Sequence, residues 1–203
     1  MRPLLFVKSF VYFSRMYLKF GKPILDVFLS LFGLIILLPF LILIYVILFL
    51  IHASNPFFYQ IRVGQFGEYF TVYKFKTIKT NNSNNAFLKA LRKTKVDELP
   101  QLFNVIKGDM SLVGPRPDIP GYYDKLTGEN RLILQLKPGI TGLASLQFAN
   151  EEEILAQQSN PLAYNDEVLF PKKVELNLHY YKEVSFVFDL NILIKTILLP
   201  FHN

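Results

Sequence analysis

The chain has no cysteine, which rules out disulfides, thiolate-held metal and a cysteine nucleophile at once. Histidine is sparse: His52, His179 and His202 lie far apart and give no metal-ligand spacing. The familiar signatures of nucleotide, nucleophile and metal chemistry are missing as well. There is no G-x-x-x-x-G-K-S/T, no G-x-G-x-x-G after a strand, no G-x-S-x-G and no H-E-x-x-H. No internal repeat is evident, and acid is absent from the first 25 residues, where Arg2, Lys8, Arg15, Lys19 and Lys22 stand alone.

Long apolar sequence, by contrast, is plentiful. Ile24 to Ile51 is apolar throughout except for Asp26, with Pro39 near its middle. Val27 to Ile51 carries no charge, and about 20 helical residues suffice to cross a hydrocarbon core. Length therefore permits a full crossing. Pro39 removes a backbone donor and both flanks are basic, which favours a re-entrant helix with both ends in the cytoplasm. A spanning helix stays open, because proline is tolerated there too. The run is too long for the core of a cleavable signal and is expected to persist in the mature protein.

Twenty-two Lys and Arg against 16 Asp and Glu give a net charge of +6, compatible with nucleic acid, anionic lipid or a phosphate-rich ligand. The apolar run next to it favours lipid and phosphate. Residues 1–21 mix bulky apolar side chains with isolated cations, as in a segment at the lipid headgroups; an ordinary cytoplasmic flank is the alternative. Residues 22–54 form the membrane helix and 55–203 one cytoplasmic domain, long enough for a core of its own.

Within that domain, Phe57 to Val63 and Glu68 to Thr77 read as a β-hairpin turning at Gly64 to Gly67. Asn81 to Asn85 is a polar loop, and Ala86 to Lys93 a short helix with a basic end. Leu99, Leu102, Phe103 and Ile106 predict a helix with Asp97 and Glu98 at its N-terminus and Gly108 as its stop. Met110 to Val113 reads as a brief strand, Tyr122 to Leu136 as a polar helical stretch, and Lys137 to Gly142 as a turn-rich loop. Glu151 to Gln158, Val174 to Lys182 and Phe186 to Phe201 read as helices, the last with an apolar face suited to core or membrane surface. The fold class is α+β and membrane-associated: a Pro-bent helix, then a mainly helical domain with a small hairpin and interfacial amphipathic helices.

Asp97 and Glu98 are the candidates for chemistry, with Arg92, Lys93, Lys95 and Arg116 around them. The plain alternative is helix capping, since Asp suits an N-cap and Glu the first turn. Chemically, a carboxylate can attack a phosphoryl group if cations offset the charge. Arginine can clamp phosphate with two prongs, and Pro115 and Pro117 stiffen the backbone around Arg116. Glu98 is a candidate ligand for Mg²⁺, which commonly takes one or two carboxylates plus substrate phosphates.

The run from Arg92 through Asp97, Glu98, Leu99, Pro100 and Gln101 to Gly114, Pro115, Arg116 and Pro117 resembles the signature of the bacterial sugar transferases, the small monotopic polyprenyl-phosphate phosphoglycosyl transferases. Tyr73 to Thr77, Lys137 to Leu143 and Phe188 to Thr196 are similar to further blocks of that family in the same order. The resemblance implies a membrane helix bent at Pro39, on the cytoplasmic face of the bacterial inner membrane. It implies that Asp97 attacks the β-phosphorus of a UDP-sugar, releases UMP and carries the sugar 1-phosphate until undecaprenyl phosphate takes it, which begins a surface glycan. Glu98 would work with Mg²⁺, Arg92 and Arg116 would bind phosphate, and downstream glycosyltransferases would be the next partners. Lys76 stands where the family usually carries Arg. Ser145 to Ala149 replace its Gln-Val-Asn-Gly-Arg, which leaves the sugar open. The competing readings are a non-catalytic basic module at the membrane and a nucleic-acid binder; the second is not expected, for want of a binding signature.

Overall fold

A computed structural model describes residues 16–78 and 85–199. Met1 to Arg15 of the basic N-terminal segment, Asn81 to Asn84 of the polar loop and the last four residues lie outside them. A π-helical turn, Tyr17–Gly21, runs without a break into helix α1, Lys22–His52. Ala53 ends α1 in the left-handed conformation (φ 49°), and its N–H bonds to Phe49 O. The Nε2–H of His52 donates to Lys76 O at 2.7 Å, tying the end of α1 to the end of the hairpin.

That hairpin is the expected one. Strands β1 (Phe57–Val63) and β2 (Tyr69–Phe75) pair antiparallel, Phe57 opposite Phe75 and Val63 opposite Tyr69. Alternation turns Val72 and Lys74 to one face and Tyr73 and Phe75 to the other. After α2 (Ala86–Lys93), whose first N–H groups are capped by Asn85 Oδ1, comes α3 (Gln101–Lys107), stopped by Gly108 at φ 91°. Here the structure corrects the expected helix start. Asp97 and Glu98 sit in a separate 3₁₀ turn, Val96–Glu98, entered through Lys95 at φ 56°. Pro100 has no N–H to extend a helical ladder backwards, so α3 begins after it.

The loop expected at Lys137 to Gly142 contains a strand. β3 (Ser111–Val113) and β4 (Gly139–Thr141) form a two-stranded parallel sheet. The pairing continues into the Gly-Pro-Arg-Pro loop: Gly114 N–H bonds to Thr141 O at 2.9 Å and Gly139 N–H to Pro115 O at 2.8 Å. Three glycines permit this approach. A Cβ on Gly139 would lie 2.1 Å from Gly114 N, and one on Gly142 would lie 2.1 Å from Gly114 O. Tyr122 to Leu136 forms 3₁₀ turns, Tyr123–Lys125 and Gly128–Gln135, rather than one helix. Gly128, at positive φ, interrupts it, and Gly121, also at positive φ, precedes it. The chain closes with α4 (Leu143–Gln147), α5 (Glu151–Ala156), α6 (Pro161–Tyr164), α7 (Phe170–Glu183) and α8 (Phe186–Leu198).

The fold is thus α+β and mostly helical, with one long apolar helix near its start. That helix does not stand away from the domain. Leu34, Leu41, Ile44 and Leu48 pack with Phe75, Leu88, Leu91 and Leu102 in one core. Lys22, Asp26 and Ser30 extend the same buried stripe towards the N-terminus. Asp26 accepts from Ser111 Oγ at 2.7 Å and Leu112 N–H at 3.1 Å, which fixes β3. Lys22 Nζ lies 2.5 Å from Asp189 Oδ2 on α8, which Tyr17 also reaches at 2.7 Å, while Tyr180 donates to Oδ1 at 2.5 Å. Asp189 and Ile192 are the buried side of α8; Leu190, Ile194 and Ile197 face outwards. Its expected apolar face is therefore turned away from the core.

Candidate active site

Glu98 is buried, at 5% exposure, and both of its oxygens are engaged. Arg116 grips it with two prongs, Nη1 to Oε2 at 2.9 Å and Nη2 to Oε1. Lys74, from the inward face of β2, adds a third bond to Oε1 at 3.0 Å. Burial would raise the Glu98 pKa, but the charges and hydrogen bonds of Arg116 and Lys74 outweigh it and hold it at about 2.

Asp97, its neighbour in the chain, has the opposite surroundings. It is 8% exposed, and its Oδ1 is buried without a hydrogen-bond partner among the described residues. Burial first, and the negative charge of Glu98 second, push its pKa up to about 6. Two adjacent carboxylates are thus driven apart. One is locked in its anionic form as a counter-ion, and the other is left unpaired, with a pKa near neutrality. A cap would accept from backbone N–H groups of the following helix; Asp97 lies outside α3 and its Oδ1 accepts nothing, so capping does not account for it.

The frame around this pair is built from buried polar groups. Asn104 on α3 is fully buried, donates to Thr71 O at 2.7 Å and accepts from Tyr73 N–H at 3.1 Å. It pins α3 to β2 beside Lys74. Asp26 and the β3–β4 ladder fix the other side, leading into Arg116. Of the residues expected from sequence, the structure brings Asp97, Glu98 and Arg116 together. The side chain of Arg92, at the end of α2, makes no hydrogen bond or ion pair with any described residue, and Pro39 is exposed on α1. Lys74 and Asn104 were not anticipated. The Lys74 signal lay in the alternation Tyr73-Lys-Phe-Lys, which puts it on the face of β2 that meets α3.

Beyond Arg116 opens a cavity of about 160 Å³, lined among others by Arg62, Asp118, Ser145, Glu151, Lys173 and Asn177. Among the described residues no group of three or more Asp, Glu or His could hold a metal ion unaided. Oxygen ligands nonetheless remain. Glu98 Oε1 has two donors and is saturated, whereas Oε2 accepts, among the described residues, only from Arg116 and keeps a lone pair, as does Asp97 Oδ1.

The family model described as bacterial sugar transferase matches residues 17–203. The chain belongs to that family. It is 36% identical over 156 residues to the uncharacterized sugar transferase EpsL of Bacillus subtilis, covering 71% of this chain and 69% of that one. It is 32% identical over 173 residues to the UDP-glucose:undecaprenyl-phosphate glucose-1-phosphate transferase of Escherichia coli, covering 75% of this chain. It is 31% identical over 167 residues to the UDP-N-acetylgalactosamine-undecaprenyl-phosphate N-acetylgalactosaminephosphotransferase of Aeromonas hydrophila, covering 73% of this chain. The matches span 35% and 36% of the lengths of the latter two.

Proposed function

We propose that the chain is a phosphoglycosyl transferase that moves a sugar 1-phosphate from a UDP-sugar to undecaprenyl phosphate through a covalent intermediate on Asp97. The observation that carries this reading is the buried, unpartnered Oδ1 of Asp97 beside a Glu98 held by Arg116 and Lys74. In the first step a carboxylate oxygen of Asp97 attacks the β-phosphorus. The bond from that phosphorus to the bridging oxygen breaks, and UMP leaves with the electron pair. In the second step a phosphate oxygen of the lipid attacks the same phosphorus, and Asp97 departs as a carboxylate. Burial keeps Asp97 poorly solvated, which favours attack once it is ionised. Arg116 is placed to share its charge between Glu98 and the phosphoryl oxygens. Mg²⁺, held by the free lone pair of Glu98 Oε2 with donor phosphates, would supply charge neutralisation. The relatives named for glucose and N-acetylgalactosamine transfer support the donor and acceptor classes while differing in sugar.

The same reading places the enzyme on the cytoplasmic face of the inner membrane, on a re-entrant α1, with downstream glycosyltransferases acting on its product to build a surface glycan. Two observations support the re-entrant path. Both ends of α1 contact one domain, through Lys22 and Asp26 at the start and Ile44 and Leu48 near the end. A helix of this length is about 46 Å long, so those contacts leave no free half to cross a bilayer. At about 100° per residue, Pro39 also lies roughly opposite the buried stripe. Its ring crowds the preceding turn on that outer side, which bends a helix towards the domain. The exposed Leu190, Ile194 and Ile197 of α8 suit the headgroup boundary.

Incubation with a panel of UDP-sugars and Mg²⁺ tests the activity: UMP release from one or more is expected, and none from any would contradict it. The lack of cysteine makes single labels clean for topology. Lys8→Cys and Gln65→Cys should both react from the cytoplasmic side; labelling from opposite sides would exclude the re-entrant path.

A further inference from the structure

We propose that the cavity beyond Arg116 holds the sugar of the donor, and that Asn177 and Ser145 read its hydroxyl or amide groups. This rests on the transferase reading above and goes further by assigning the part of the molecule that recognises the transferred group.

The first observation is charge. Three cations line the cavity, and each has a carboxylate of its own. Arg62 lies 3.7 Å from Asp118, Lys173 lies 2.6 Å from Glu151, and Arg116 grips Glu98. A phosphate bound at Arg62 and Lys173 would compete with Asp118 and Glu151 for them. A neutral ligand would not.

The second observation is what the cavity leaves unsatisfied. Ser145 Oγ and Asn177 Oδ1 are buried and have no hydrogen-bond partner among the described residues. Asn177 is 1% exposed, and its Nδ2 donates to Tyr123 Oη at 2.7 Å. Either orientation of that amide leaves one polar atom unpaired. Buried polar atoms of this kind are normally satisfied, so two such atoms on residues that line one cavity point to a ligand that supplies the missing bonds. A hydroxyl both donates and accepts, and matches a serine hydroxyl and either end of an amide.

The third observation is position. Arg116 is at once a wall of the cavity and the partner of Glu98, which follows Asp97 in the chain. In a nucleoside diphosphate sugar, the sugar is joined through one oxygen to the phosphorus that is attacked, whereas the base lies beyond a second phosphate and a ribose. The group one side chain away from the reacting phosphorus is therefore the sugar. It also stays attached through both steps, so a pocket that holds it acts on both half-reactions.

The test measures steady-state UMP release at saturating undecaprenyl phosphate, across several UDP-sugars, for wild type, Asn177→Leu and Ser145→Ala, together with inhibition by UMP. Ser145→Ala removes an atom with no partner in the protein, so it leaves the fold intact; a melting curve checks Asn177→Leu. The expected result is a loss of kcat/KM of about tenfold or more for Asn177→Leu and about three- to tenfold for Ser145→Ala. The preference among sugars should narrow, while the inhibition constant of UMP, which has the nucleotide but no sugar, stays within about twofold. A UMP constant that rises in step with the loss would assign the cavity to the nucleotide and overturn the proposal. Unchanged kinetics in a folded Ser145→Ala and Asn177→Leu would also overturn it. Wild type that releases no UMP from any donor would overturn the transferase reading itself.

Discussion

Arg116 and Glu98 form a two-pronged ion pair, with Nη1 of the arginine 2.9 Å from Oε2 of the glutamate and Nη2 on Oε1. The pair explains why only one of two adjacent acids is left without a partner. Glu98 spends its charge on Arg116 and Lys74, and Asp97 is left buried, unpaired and next to a fixed negative charge.

Arginine's planar fork is what makes the pair two-pronged, so Arg116→Lys keeps the charge but loses one bond to Glu98 and the fork for phosphate. A loss of about 2 to 3 kcal/mol in transition-state stabilisation is expected, roughly 30- to 150-fold in kcat/KM for UMP formation. Wild-type kinetics in a stable variant would make the Gly-Pro-Arg-Pro loop a rigid turn and nothing more.

The two acids also set a pH dependence. Asp97 must be ionised to attack, so kcat/KM for UMP release should rise with pH to a plateau, with a midpoint near the Asp97 value of about 6. Glu98→Gln removes the neighbouring negative charge, and the midpoint should move to lower pH as the rate falls. For stability the signs differ. The raised pKa of Asp97 makes the folded state less stable as pH climbs from about 4 to 6. The depressed pKa of Glu98 gives stability that is present above its ordinary value and lost as pH falls towards 2. A midpoint unmoved by Glu98→Gln would detach the profile from this dyad.

Asp189 joins the start of α1 to α7 and α8, accepting from Lys22, Tyr17 and Tyr180. Asp189→Ala leaves the buried Lys22 ammonium without its partner, which costs about 3 to 5 kcal/mol. Thermal unfolding in detergent should show a marked drop, with the N-terminal part of α1 becoming accessible to protease. An unchanged melting point would mean that the apolar stripe alone holds α1.

The hairpin, α2 and the stop at Gly108 were legible because alternation, helical spacing and glycine act over a few residues. Asp97, Glu98 and Arg116 were legible as a group because their charges stand out in short motifs. The 3₁₀ turn that carries the dyad was not, since Asp-Glu before Leu-Pro reads equally well as a helix start. Phe103 fits the apolar spacing of α3 yet is exposed, while Gln101 and Asn104 are buried. Asn104 is drawn inward by β2, where it finds its backbone partners more than 30 residues away in sequence. The tie between Lys22 and Asp189 spans 167 residues, and a lone acid such as Asp26 in an apolar run gives no hint of its strand. Buried polar groups are read from partners, and their partners are distant.

The most direct measurement is the intact mass of the purified protein after incubation with a UDP-sugar and Mg²⁺ without lipid acceptor. The account predicts a gain equal to one sugar phosphate, lost on addition of undecaprenyl phosphate and absent from Asp97→Asn, a variant that keeps the side chain's size but not its nucleophilic charge. UMP release with no added mass on the wild type, or the same added mass on a folded Asp97→Asn protein, would contradict it.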